Sequence, residues 1–131
     1  MRAIRDVEDL HMGNLKTLDE LGQFDYLLDL GVALGRDEAV EIIENRIKGC
    51  KTAIWVKTEG RCMRASSDSL VVLGVLSILK EMYDNKEVKE IRANPIRFLD
   101  VVSEQVVYPE IRENGIRKLY AILSETVEEE K

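Results

Sequence analysis

Leu70 to Leu79, reading LVVLGVLSIL, constrains this chain more than any other stretch. Only Gly74 and Ser77 interrupt a run that is apolar on nearly every side of a helix. A helix of that kind is buried at the centre of its domain, with other elements packed round it. Its start is legible in the preceding SSDS. Ser67 suits the N-cap, and Asp68 then lies in the first turn, near the positive end of the helix dipole.

The rest of the chain has to supply the covering elements. Leu18, Leu21, Leu27, Leu30 and Leu34 recur at helical spacing, and Gly35 is a suitable stop. Asp37 is placed to cap a shorter helix with Val40, Ile43 and Ile47 on one side. At Gly49 the pattern changes. TAIWVK is β-branched or aromatic at most positions, TEG is a turn and RCMRAS follows, which predicts an antiparallel hairpin. Arg46 to Lys48 is a candidate third strand that periodicity leaves open. Asn85 opens a short helix carrying Val88 and Ile91. Asn94-Pro95 starts another, with Phe98, Leu99, Val102 and Val106 on its apolar side. Pro109 starts the last, where Ile116, Leu119, Tyr120 and Leu123 recur at i, i+3, i+4 and i+7, and the ETVEEEK tail is a solvated, fraying end. The expected class is α+β, a small antiparallel sheet packed against several helices, forming one domain over residues 1–131 with a self-supporting core.

Composition removes whole classes of function. A net charge of −6 argues against a general nucleic-acid binder, which needs a basic face. No uncharged apolar run is long enough to span a membrane, and MRAIRDVEDL has no apolar signal core, so a cytoplasmic protein is expected. There is no P-loop, dinucleotide fingerprint or metal-ligand spacing, and no cofactor is expected. The carboxylates lie on helix faces among lysines rather than as an isolated acid–base pair. Two cysteines, Cys50 and Cys62, make neither a disulfide framework nor a four-ligand metal site. His11, the only histidine, falls in a polar stretch and reads as a surface residue, so a Cys–His nucleophile pair has little support. Cys62, mid-strand between Arg61 and Met63, reads as core filler. Cys50 is left as the one chemical handle.

Thiol chemistry needs a deprotonated sulfur that a reactant can reach. Cys50 follows Gly49, which suits a turn, and Lys48 and Lys51 favour a thiolate if their ammonium groups point toward it. Ile54 and Trp55 offer an apolar wall beneath, where a sulfur could be sheltered until a partner opens the loop. Read from composition alone, Cys50 is more readily a small turn residue beside solvated lysines, since most free cysteines are buried and inert.

Four collinear motifs weigh against that second reading. N-R-I-K-G-C-K-T-A-I-W, Asn45 to Trp55, is similar to the Val-x-Gly-Cys-x-Ser-x-Val-Trp of the SufE family, with Ile47, Thr52 and Ile54 as conservative replacements. S-D-S-L-V-V-L-G, Ser67 to Gly74, resembles that family's Ser-Asp-Ala and the apolar, glycine-containing helix after it. R-E-N-G-I, Arg112 to Ile116, is similar to its Arg-Ser-Asn-Gly-Leu, and Y-L-L-D-L-G, Tyr26 to Gly31, to its Tyr-Leu-Ile-Glu-Leu-Gly. The resemblance runs in order from about residue 19 to residue 123.

The resemblance implies a SufE/IscU-like fold and a sulfur acceptor. Cys50 would take persulfide sulfur from a pyridoxal-phosphate-dependent cysteine desulfurase, stimulate that enzyme and deliver the sulfur to an iron–sulfur scaffold complex. This is an accessory role in transpersulfidation, with no independent turnover. Gly49, Lys51 and Thr52 would form the supporting loop. Arg112 would favour the thiolate or guide docking, and Asp68 would orient the loop-to-helix junction or serve simply as a helix-start carboxylate. The chain departs from the pattern where the family's His-Leu-Ser-Pro-Ser is replaced by Val106 to Ile111, and where the tryptophan and arginines before the early tyrosine are absent. Two rival classes remain: an iron–sulfur scaffold, for which two cysteines and a remote His11 lack the ligand set, and a non-catalytic partner-binding module.

Overall fold

The structure, a computed structural model, describes residues 2–130, with the side chains of 126–130 outside that description. Helices α1 (Ile4–Lys16) and α2 (Glu20–Leu34) come first. The hairpin β1 (Ile54–Glu59) and β2 (Cys62–Ser67) precedes α3 (Leu70–Tyr83) and the short α4 (Val88–Ala93). The chain ends in one continuous helical run: α5 (Pro109–Ile111), a π-helical turn (Arg112–Ile116) and α6 (Arg117–Glu130). The α+β class expected from the pattern is the one observed.

The all-round apolar run behaves as its composition requires. Val71 to Leu76, Ile78, Leu79 and Met82 are all buried in α3. Gly74 has a specific task. A Cβ placed there would lie 2.1 Å from the carbonyl oxygen of Leu27, and one placed on Gly31 would lie 2.1 Å from that of Leu70. Helices α2 and α3 therefore meet backbone against backbone, closer than any side chain allows. On the other side of α3 lies the hairpin, paired from Ile54↔Ser67 to Glu59↔Cys62 across Gly60, whose φ of +60° a two-residue turn needs.

Several expected elements are reshaped by distant side chains. Residues 37–47 form two 3-10 turns, Glu38–Val40 and Ile43–Asn45, instead of one helix. Asp37 does not cap through its side chain, because both its carboxylate oxygens accept from Arg64 of β2 at 2.9 Å. The candidate third strand is reduced to a single bridge, Arg46↔Trp55, with the Ile47 amide donating to Ile54 O at 2.8 Å. The cap of α3 is Ser69, whose hydroxyl accepts from the Val72 amide. Ser67 is drawn off to donate to Ala53 O at 2.6 Å, so Asp68 stands exposed ahead of the cap rather than in the first turn.

Downstream, Asn85 has φ of +64° and begins no helix; α4 starts after Glu87. The helix expected from Asn94-Pro95 is only a 3-10 turn, Phe98–Val101. Its free amides are claimed by Glu8 of α1, a fully buried carboxylate that accepts from the N–H groups of Arg97 and Phe98 at 2.6 and 3.0 Å. Phe98, Leu99, Val102 and Val106 are nonetheless buried as their pattern implies. His11 is buried, not a surface residue: Nδ1 lies 2.7 Å from the Tyr26 hydroxyl and Nε2 2.7 Å from Glu81. The helical backbone reaches Glu130; the expected fraying of ETVEEEK concerns residues that lie mostly outside the described side chains. No helix among the described residues is long and apolar enough to cross a membrane.

Candidate active-site thiol

The loop between Ile47 and Ile54 is fixed at both ends by the sheet. Ile47 hydrogen-bonds Ile54 across the bridge, and Ser67 holds the Ala53 carbonyl. Between these anchors Gly49 adopts φ of +85°, a left-handed conformation that glycine enters without a Cβ penalty. That turn sends Cys50 inward. Its residue exposure is 5%, so the thiol that the sequence places on a turn is packed into the core.

The sulfur lies over the π-helical turn. A Cβ built on Gly115 would stand 3.2 Å from Cys50 Sγ and 2.7 Å from Ile54 Cδ1, so glycine leaves the space that the thiol occupies. Glu110, one helical turn earlier, meets the loop twice. Its Oε1 accepts the Lys51 amide at 2.8 Å, and its Oε2 accepts the Cys50 thiol at the long, sulfur-type distance of 3.8 Å. Lys118 donates from Nζ to the Lys48 carbonyl at 2.6 Å.

Burial is the first influence on this thiol and pushes its pKa up; the Glu110 carboxylate pushes it further in the same direction. The Thr52 backbone amide and the Arg46 guanidinium act the other way. Arg46 lies over the Trp55 ring, 5.5 Å from its centroid, and its buried Nε has no hydrogen-bond partner among the described residues. The resting thiol is thus held protonated.

The residues singled out in the sequence are distributed unevenly around this centre. Gly49, Lys51 and Thr52 form the loop itself, though Lys51 engages through its backbone amide while its side chain is exposed. Arg112 starts the π-helical turn, but its guanidinium donates to the carbonyls of Val107, Leu99 and Val102 at 2.7, 2.5 and 2.5 Å. It ties residues 99–107 to the helical run. Asp68 acts electrostatically on Arg36. Glu110, Gly115, Lys118 and Arg46 were not among the expected site residues. Arg46 and Gly115 lie inside the Asn45–Trp55 and Arg112–Ile116 motifs, and Glu110 in the 106–111 segment that departs from the family pattern; Lys118 carried no local signal.

Cys62 is not core filler. Burial alternates over the first four residues of β2, so Met63 and Ala65 point inward while Cys62 is half-exposed, 3.7 Å from Asn85 Oδ1. It lines a cavity of about 570 Å³ with Met63, Tyr83, Lys86 and Val88, apart from the Cys50 loop.

The model of the SufE family, described as an Fe-S metabolism associated domain, matches residues 12–127. The chain belongs to the SufE family. No curated protein matches the chain. The matched span takes in the Gly49–Cys50 loop, the α2–α3 contact and the whole π-helical turn, so each part of the thiol's niche lies within the family domain. As a SufE-family domain the protein is associated with iron–sulfur metabolism.

Proposed function

We propose that this SufE-family protein accepts persulfide sulfur from a pyridoxal-phosphate-dependent cysteine desulfurase on Cys50 and carries it, in the cytoplasm, to an iron–sulfur scaffold. The observation that carries the reading is the niche itself. A cysteine on a glycine turn is folded inward over a helical glycine, sealed by contacts from one helical run, and kept as the thiol. Such a sulfur is guarded against casual oxidation and is released by moving a short loop.

The chemistry is an exchange of sulfur without net oxidation. The Cys50 thiolate attacks the outer sulfur of the desulfurase persulfide. A new S–S bond forms on Cys50, the old S–S bond breaks, and the desulfurase cysteine leaves as a thiolate that takes up a proton. Cys50 gives up its proton to solvent or to the partner when the loop opens. The same exchange, with Cys50 as the leaving thiolate, hands the sulfur to the next acceptor. Removing the terminal sulfur from the desulfurase frees its cysteine for another turnover, which accounts for stimulation of the partner.

The test is incubation with a cysteine desulfurase and cysteine, followed by mass spectrometry of the Cys50 and Cys62 peptides. One added sulfur on Cys50 is expected; sulfur on Cys62 alone would refute the assignment. Cys50→Ser should still bind the desulfurase while abolishing its stimulation.

A further inference from the structure

We propose that Glu110 and Lys118 are positioning residues that form a two-point latch, clamping the loop on both sides of Cys50 so that the thiol stays buried until both contacts part. This rests on the reading of Cys50 as the sulfur acceptor and names what controls access to it.

The geometry is a short strap fastened at two ends. Lys48 and Lys51 flank Gly49 and Cys50, and each is held through its backbone, Lys48 by its carbonyl and Lys51 by its amide. Both fastenings come from the same helical run, Glu110 before the π-helical turn and Lys118 after it. Lys118 also roofs the turn: a Cβ on Gly49 would lie 2.7 Å from its Nζ. Neither latch residue belongs to the hydrophobic core. Lys118 is exposed and Glu110 half-buried, so both can let go without unfolding the domain.

The two points differ in kind. Lys118 is purely mechanical, a charged donor on a carbonyl. Glu110 is mechanical and chemical, because its carboxylate beside the sulfur opposes formation of a thiolate there. A charge-assisted hydrogen bond that is lost on opening shifts the closed-to-open ratio by about tenfold. The groups facing the thiol are therefore Glu110, Arg46 and the Thr52 amide, with Lys118 acting on the turn behind it.

The experiment needs no partner. In a Cys62→Ser background, iodoacetamide alkylation of Cys50 is followed at pH 8 in the full chain, with hydrogen exchange read at the Lys51 amide and at Leu76 in the core. Glu110→Ala and Lys118→Met should each speed alkylation about tenfold, and the double variant more. Glu110→Gln, which keeps an acceptor for the Lys51 amide but removes the charge, should fall between parent and Glu110→Ala. Lys51 exchange should quicken in Glu110→Ala while Leu76 stays protected. Parental alkylation rates in both single variants would overturn the latch, and so would Lys51 and Leu76 accelerating together, which marks global loosening. Because no desulfurase is present, these outcomes are independent of whether Cys50 takes up sulfur. A failed latch with persulfide formation intact leaves the proposed function standing.

Discussion

Gly115→Ala is the substitution that most directly tests how the thiol is housed. The added methyl would lie 2.7 Å from Ile54 Cδ1, 3.2 Å from Cys50 Sγ and 3.9 Å from Ile111 Cγ2. Carbon atoms in ordinary contact sit about 3.5–4.0 Å apart, so the first two contacts must open while the third is comfortable. Overpacking of this size costs about 1–3 kcal/mol, against which alanine recovers up to about 1 kcal/mol of helix propensity over glycine. Net loss of global stability should then be about 0–3 kcal/mol. The strain is not shared equally. Ile54 is fully buried and paired to Ser67 in the hairpin, whereas Cys50 sits on a loop outside the sheet, held by the Glu110 and Lys118 side chains. The closed loop should lose about 1–2 kcal/mol more than the rest of the domain, a 5- to 30-fold rise in its open population. In a Cys62→Ser background the alkylation rate of Cys50 should rise by that factor, with a thermal midpoint lowered by only a few degrees. A folded Gly115→Ala protein whose Cys50 reacts at the parental rate would refute the argument that glycine is there to make room for sulfur.

The α2–α3 contact gives a purely structural counterpart. Gly74→Ala gains about 1 kcal/mol of helix propensity but drives a methyl to 2.1 Å from the Leu27 carbonyl, which calls for the top of the overpacking range of about 3 kcal/mol, so urea denaturation should show a net loss of about 2 kcal/mol. For pH, a thiol raised above its unfolded value contributes stability that is complete below the ordinary cysteine range and lost as pH rises through the folded value. The closed loop should accordingly loosen on the alkaline side, with the alkylation midpoint above the ordinary cysteine value of about 8.5 and moved down in Glu110→Gln. Arg46→Met removes the cation that favours the thiolate, so that midpoint should move up, and emission from Trp55, the single tryptophan, should shift as its stacked guanidinium is lost.

What could be read from the sequence was whatever depends on local pattern. The α3 run and the hairpin each carry their own period, and burial followed it; the leucine spacing of α2 located the helix, but of those five leucines only Leu27 is buried, while Leu18 and Leu21 stand exposed. Two of the failures share a cause, a side chain arriving from far along the chain. Arg64 occupies Asp37 and removes a cap; Glu8 takes the amides of Arg97 and Phe98 and replaces a helix with a turn. At the site the same division holds. Gly49 and Cys50 are adjacent, and their meaning lies in a motif. Glu110, Gly115 and Lys118 lie some 60 residues or more beyond the loop they hold, where no spacing rule connects them. Arg112 shows the converse, a motif residue whose position was legible but whose bonds, to three carbonyls of residues 99–107, were not.

A buried, protonated thiol is a poor nucleophile, and that has a consequence for the proposed sulfur transfer. An ordinary cysteine is only a few per cent thiolate at neutral pH, and Cys50 in its closed niche holds less. A low-pKa, exposed cysteine would react faster with the desulfurase persulfide, but it would also be the favoured site for oxidation. The proposed latch would resolve that conflict by separating two states in space. In the closed loop, burial and Glu110 suppress the thiolate; outside it, both influences are removed together by the same movement, because the carboxylate that opposes ionisation is also the one that fastens Lys51. Opening would therefore expose the sulfur and lower its pKa in one step. A partner that displaces Glu110 from the loop would activate the acceptor only where a persulfide is waiting, so selectivity for the donor would come from docking rather than from the reactivity of the resting thiol.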